Sequence, residues 1–250
     1  MSDMAISGIV FACVFGGALL GMFLRAALPD HHLSTDSKDV VKLGMGLIGT
    51  MAALLLGLLI ASAKGSYDTQ SSELTQMSTN IILLDRVMAH YGPETKEARD
   101  LLRRSVVVAL DQIWPETTSG PAQLEPTRES EGFLDKIQRL SPQNEAQRSL
   151  KAQALGISTD LGRTRWLLFE QAGSSISTPF LVVVVFWLTI IFVSFGLFAP
   201  PNATVIAILF VCALSVSGAI YLILELDQPF DGLLQISSAP LRSALEHLGQ

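Results

Sequence analysis

Two cysteines in 250 residues leave little thiol chemistry to consider. Cys13 and Cys212 both fall inside long apolar runs, so they build neither a disulfide framework nor a thiolate metal site and read as small core residues. Histidine is scarce too, and the one adjacent pair, His31 and His32, has no third ligand at metal-site spacing. Cations are outnumbered, 17 Lys and Arg against 23 Asp and Glu for a net charge of −6. A nucleic-acid surface needs clustered Lys and Arg, so nucleic acid is not an expected partner. There is no glycine-rich phosphate loop, HExxH or GxSxG. Nor does any ionisable residue lie in the middle of an apolar run, which disfavours proton pumps and ion-coupled transporters that use midplane carboxylates. An intramembrane enzyme would have no catalytic groups, and no enzymatic activity is expected.

What the chain has is apolar length: 49% hydrophobic residues against 16% charged. Four runs, 6–28, 43–63, 180–198 and 203–224, each approach or exceed the roughly 20 residues that cross a hydrocarbon core of about 30 Å. The amino-terminal run lacks the basic start and short apolar core of a secretory signal and is expected to remain as a span. The predicted fold is all-α: a polytopic membrane protein with four transmembrane helices as two hairpins and a helical extramembrane domain between them. The expected divisions are a first hairpin at 1–63, the helical domain at 64–178, a second hairpin at 179–226 and a tail at 227–250.

The inserted region carries helical stripes. Leu74, Met77, Ile81, Leu84, Met88 and Tyr91 step by threes and fours, and a second stripe from Ala98 to Ala109 follows the "YGPE" break. "PETTSGPAQLEPTRESEG", 115–132, predicts an exposed loop, and a short helix is expected at 133–140. Ser141 and Pro142 then suggest an N-cap and first helical position ahead of a stripe through Leu150, Ala154, Leu161 and Leu168. Four spans put the amino terminus, the insertion and the tail on one side. Lys64, Arg163, Arg165 and Arg242 balance Arg25, Lys38 and Lys42, so charge leaves the orientation open. Arg242 is expected to anchor the tail near the membrane.

The second run is the more informative one. At about 100° per residue, Lys42, Gly46, Thr50, Ala53, Gly57 and Lys64 share an arc of about 80°. That face is small and weakly polar with an ammonium at each end. It suits a close-packing seam, or the wall of a narrow pore whose lysine rings favour anions. In the first run, Gly8, Ala12 and Gly16, and the GxxxG pair Gly17 and Gly21, predict close packing. Arg99, Arg103 and Arg104 cluster on one helix, either as a solvated face pairing with Glu97 and Asp100 or as a cationic vestibule. The last run ends in "LILELDQPFDG", with Glu225, Asp227 and Asp231 around Pro229 and Phe230. Pro229 must stop or kink the helix. Carboxylates at a helix C-terminus oppose the macrodipole, so Glu225 and Asp227 call for a compensating partner, an arginine or a bound cation.

The segments "GALLGMFLRAALPDHHLSTDSKDVVKLGMGLIGTMAALLLGLLIASAK", "FWLTIIFVSFGLFAPPNATVIAILF" and "YLILELDQPFDGLLQISSAPL" together resemble the bestrophin-like family of bacterial membrane proteins, a domain of unknown function. "LELDQPF" is similar to the acidic-Pro-Phe motif that follows the last span of the bestrophin anion channels. The resemblance implies a homo-oligomer, pentameric in bestrophins, in the bacterial inner membrane. It also implies a cytoplasmic helical domain, a pore lined by the second span and small inorganic anions such as chloride as the permeant species. The animal proteins hold calcium in a dense acidic run. With only Glu225, Asp227 and Asp231 here, pairing or solvation is expected in preference to calcium, and no cofactor is expected. The competing expectation is a membrane-anchored scaffold or sensor whose helical arms bind a cytosolic protein, because the insertion exceeds what a minimal pore needs.

Overall fold

The structure, a computed structural model, describes residues 2–29, 35–115, 128–171, 176–230 and 232–249. Eight α-helices carry the described chain: α1 (Asp3–Ala27), α2 (Thr35–Tyr91), α3 (Lys96–Ile113), α4 (Arg128–Gln138), α5 (Glu145–Gln171), α6 (Thr178–Phe198), α7 (Ala203–Asp227) and α8 (Ala239–His247). No strand occurs among the described residues. Four helices, α1, the first part of α2, α6 and α7, are long and apolar enough to cross a membrane. A helix is the natural form for such segments, because every backbone polar group is satisfied within it. The chain divides into two units, 1–65 with 175–227, and 66–174 with 228–250. The region after the last span thus belongs with the inserted helical domain. His31, His32 and Asp231 lie outside the described residues.

In the first unit α1 makes its extensive contacts with α6 and α7. It runs parallel to α6, as the sequence of neighbours shows: Gly17 meets Thr189, Gly21 meets Val193 and Leu197, and the Arg25 guanidinium donates to Ala199 O at 2.5 Å. It runs antiparallel to α7, where Ser217 Oγ donates to Ser7 O at 2.6 Å and Phe210 packs edge-on against Phe11 and Phe15. The α1 start and the α7 end therefore lie at the same end of this unit. The α1–α6 crossing is a backbone contact. A Cβ on Gly21 would fall on Val193 O, and one on Gly196 would fall on Ala18 O. The expected GxxxG pair is thus a seam, whereas added Cβ atoms on Gly8 and Gly16 meet nothing within 4 Å.

The second unit has its own core. The α2 stripe Leu74, Met77, Ile81, Leu84, Met88 and Tyr91 is buried throughout, packed with Leu102 and Val106 of α3, Ile137 of α4, Leu168 of α5 and Leu241 of α8. The chain turns from α2 into α3 at Gly92, whose φ of 137° only glycine adopts without strain. Buried Thr95 locks that turn by donating to Met88 O.

Two local boundaries differ from expectation. The helix expected at 133–140 runs from Arg128 to Gln138. And α5 starts at Glu145, not after Ser141: Asn144 Oδ1 accepts from the Gln147 amide at 2.8 Å, making Asn144 the cap. Leu241, Ala244 and Leu248 bury into the second core, which accounts for α8.

The α1–α6 seam gives the first test. Gly196→Ala should lower the stability of the solubilised protein by about 1–3 kcal/mol, as overpacking against a rigid backbone does. Gly8→Ala, placed in open space, should leave the thermal midpoint unchanged or slightly raised; equal losses in both would contradict the backbone contact.

Candidate functional site

Three faces run along the apolar part of α2. Leu59 and Ala63 are buried in the first unit's core, Ala52 is buried on the same face, and a Cβ on Gly49 would come within 3.9 Å of Ile191. Leu43, Leu47, Leu54 and Leu58 form a second, leucine-rich face, exposed by 61% to 78%. The third face carries Lys42, Gly46, Thr50, Ala53, Gly57 and Lys64, all exposed. It lies about 120° around the helix from the core face and about 90° from the leucines. Thr50 Oγ1 donates back to Gly46 O at 2.9 Å, so its hydroxyl proton is satisfied within the helix and its lone pairs face outward. Lys42 sits 3.5 Å from Asp39 on the exposed helix surface.

At the end of the first unit where α1 starts and α7 stops, three carboxylates gather. Asp3 lies in the first turn of α1, capped by Ser2, whose side chain accepts from the Ala5 amide. Glu225 and Asp227 lie in the last turn of α7, each only 5% exposed, and are close enough to Asp3 for their charges to interact. Two contributions to their compensation are visible. Antiparallel packing sets the positive end of the α1 dipole beside the negative end of α7, and the Tyr221 hydroxyl hydrogen-bonds Glu225 one turn back. As expected, α7 ends two residues before Pro229. Among the described residues no three His, Cys, Asp or Glu side chains converge as a metal-binding group.

The rest of the post-span motif works inside the second unit. Phe230 is buried, packs edge-on to Trp114 at a centroid distance of 6.2 Å, and is followed by a turn closed by Ile236 N donating to Pro229 O at 2.7 Å. Trp114 Nε1 donates to Ile236 O at 3.0 Å, which pins the same turn from α3. A buried Phe and a Trp with its N–H satisfied make a fixed docking corner.

Of the three clustered arginines, Arg103 and Arg104 are exposed on α3. Arg99 is engaged. Its Nε and Nη2 donate to both Asp85 oxygens at 2.7 and 2.8 Å, and Gly249 N adds a third donor at 3.2 Å. The bidentate bond raises the Arg99 guanidinium further above its already high range, so it stays a cation. Its partner is thus Asp85, while Glu97 pairs with Lys136 at 2.5 Å. Sequence reasoning missed Asp85, although a carboxylate bordering an otherwise apolar stripe is the signal of a buried partner.

Four apolar helices of spanning length and a second all-helical unit define a polytopic helical membrane protein. Its residues 12–241 match the model of the Bestrophin-like domain, and the chain belongs to that family. Comparison with curated proteins and with solved structures finds no match.

Asp85→Ala should destabilise the helical unit by about 3 kcal/mol, the low end for a broken buried pair because Arg99 keeps some contact with water. Amide hydrogen exchange over α2 and α3 would measure it. Glu97→Gln, which breaks an exposed pair, should leave the exchange pattern unmoved.

Proposed function

We propose that the protein is an oligomeric channel conducting small inorganic anions such as chloride, with the small face of α2 as its pore wall. One observation carries this. The face bearing Gly46, Thr50, Ala53 and Gly57 is exposed, yet it is neither the face packed on the chain's own core nor the leucine-rich face suited to lipid. In hydrocarbon, a small-residue face is useful only where another helix approaches closely or where it borders water. Copies of α2 arranged around an axis satisfy both, since neighbouring copies cover its flanks and the centre stays narrow and weakly polar. Lys42 and Lys64 would then ring the two mouths and favour anions.

In the same reading Arg103 and Arg104 contribute to a cationic vestibule, with Arg99 held back by Asp85. Family membership supports a channel-like role in a lipid bilayer. A pentamer in the bacterial inner membrane, with the helical unit and both termini in the cytoplasm, completes the proposal. The coincidence of the α1 start and the α7 end supports an even number of crossings. No resident cofactor enters the reading, and Glu225 and Asp227 serve as a structural corner.

Purified oligomer in planar bilayers should pass chloride-selective current. Lys64→Glu should weaken the selectivity or reverse it. An assembled oligomer that passes no current, or a Lys64→Glu protein with unaltered selectivity, would contradict the proposal.

A further inference from the structure

Two side-chain oxygens on one face of α2, Gln70 Oε1 and Glu73 Oε2, are buried in the second unit without a hydrogen-bond donor. Three residues apart on a helix, the two side chains are neighbours. They also meet the same residue of α5. Gln70 Nε2 donates to Gln171 O at 3.3 Å, and Gln171 Nε2 donates to Glu73 Oε1 at 3.4 Å. Gln171 is the last residue of α5, so its main chain and its side chain together tie the end of that helix to α2.

Rotating the amides does not cure either orphan. Gln171 O can only accept, so the Gln70 nitrogen must face it, with Ser66 Oγ as a second acceptor at 3.2 Å, and Oε1 is left pointing elsewhere. An ionised carboxylate also only accepts, so the Gln171 nitrogen must face Glu73 Oε1. Flipping either amide would set two acceptors against each other.

The deficit is one of charge as well as of donors. No ion pair among the described residues involves Glu73, and the negative end of the α5 dipole lies beside it. A buried acceptor left unpaired costs free energy, and a charged one costs more. Gln70 is 0% exposed and Glu73 half-buried, which suits an ion arriving from the Glu73 side better than a molecular ligand. Oxygen donors favour a hard cation, and a single carboxylate balances a single positive charge.

We propose that Glu73 Oε2 and Gln70 Oε1 hold a monovalent metal cation, sodium or potassium, that clamps α2 to the end of α5. Water on the Glu73 side completes its coordination. A divalent ion draws on more carboxylates than this site has. None of these residues belongs to the proposed pore wall, so the cation site stands or falls apart from conduction.

The test uses the full chain in lipid nanodiscs at constant ionic strength and constant chloride. The thermal midpoint should rise as sodium or potassium replaces N-methylglucamine, because the ion binds the folded state. Amide exchange in the unaltered protein should slow on the same replacement around 66–75 of α2 and at the end of α5. Glu73→Gln should abolish both responses, and Gln70→Met, which keeps the bulk without the oxygen, should weaken the apparent affinity about tenfold or more. Glu97→Gln, on α3, should respond as the unaltered protein does. A midpoint indifferent to sodium and potassium, a response retained in folded Glu73→Gln, exchange slowed equally across the second unit, or stabilisation by calcium but by neither monovalent ion would overturn the proposal.

Discussion

Inside hydrocarbon the hydrophobic effect no longer drives helices together, so the membrane unit depends on how closely two backbones can approach. That approach occurs where α1 crosses α6. Gly21 meets the Val193 carbonyl and Gly196 meets the Ala18 carbonyl, a reciprocal contact that leaves no space for a Cβ on either side. The seam sets α1 parallel to α6, and the Ser217 to Ser7 bond sets it antiparallel to α7. Asp3, Glu225 and Asp227 come to lie at one end as a result, where opposed helix dipoles offset part of their mutual repulsion.

The seam also leaves part of α2 uncommitted. With α1 engaged by α6 and α7, α2 joins the first unit's core through Leu59 and Ala63, with Leu55 and Leu56 packed against it. Its small face and its leucine face are left for surroundings beyond the single chain. The channel proposal rests on this division, because the two exposed faces differ so sharply in side-chain size. The same helix continues to Tyr91, where its apolar stripe becomes the centre of the second core. One helix therefore carries both the proposed pore wall and the main wall of the helical unit.

Much of this was legible in the sequence because helical periodicity is local. The stripe from Leu74 to Tyr91, the stop ahead of Pro229 and the small face of α2 all follow from spacing along one element. Partner choice is not local. Nothing in the spacing of Gly17 and Gly21 says that their partner is α6, and the pairing of Asp85 with Arg99 depends on the turn at Gly92 bringing α2 and α3 together. The Asn144 cap was hidden for another reason: Ser141 and Pro142 offered an equally good local signal three residues earlier, and the helix took the later one.

On the channel proposal, the small face of α2 borders water while the leucine face borders lipid. Single cysteines introduced at Gly46, Ala53 and Gly57, and at Leu47, Leu54 and Leu58, in a protein with Cys13 and Cys212 replaced, can be exposed in lipid vesicles to a membrane-impermeant charged thiol reagent. Modification is expected on the small face and protection on the leucine face. Protection of the small face, or modification of both faces alike, would contradict it.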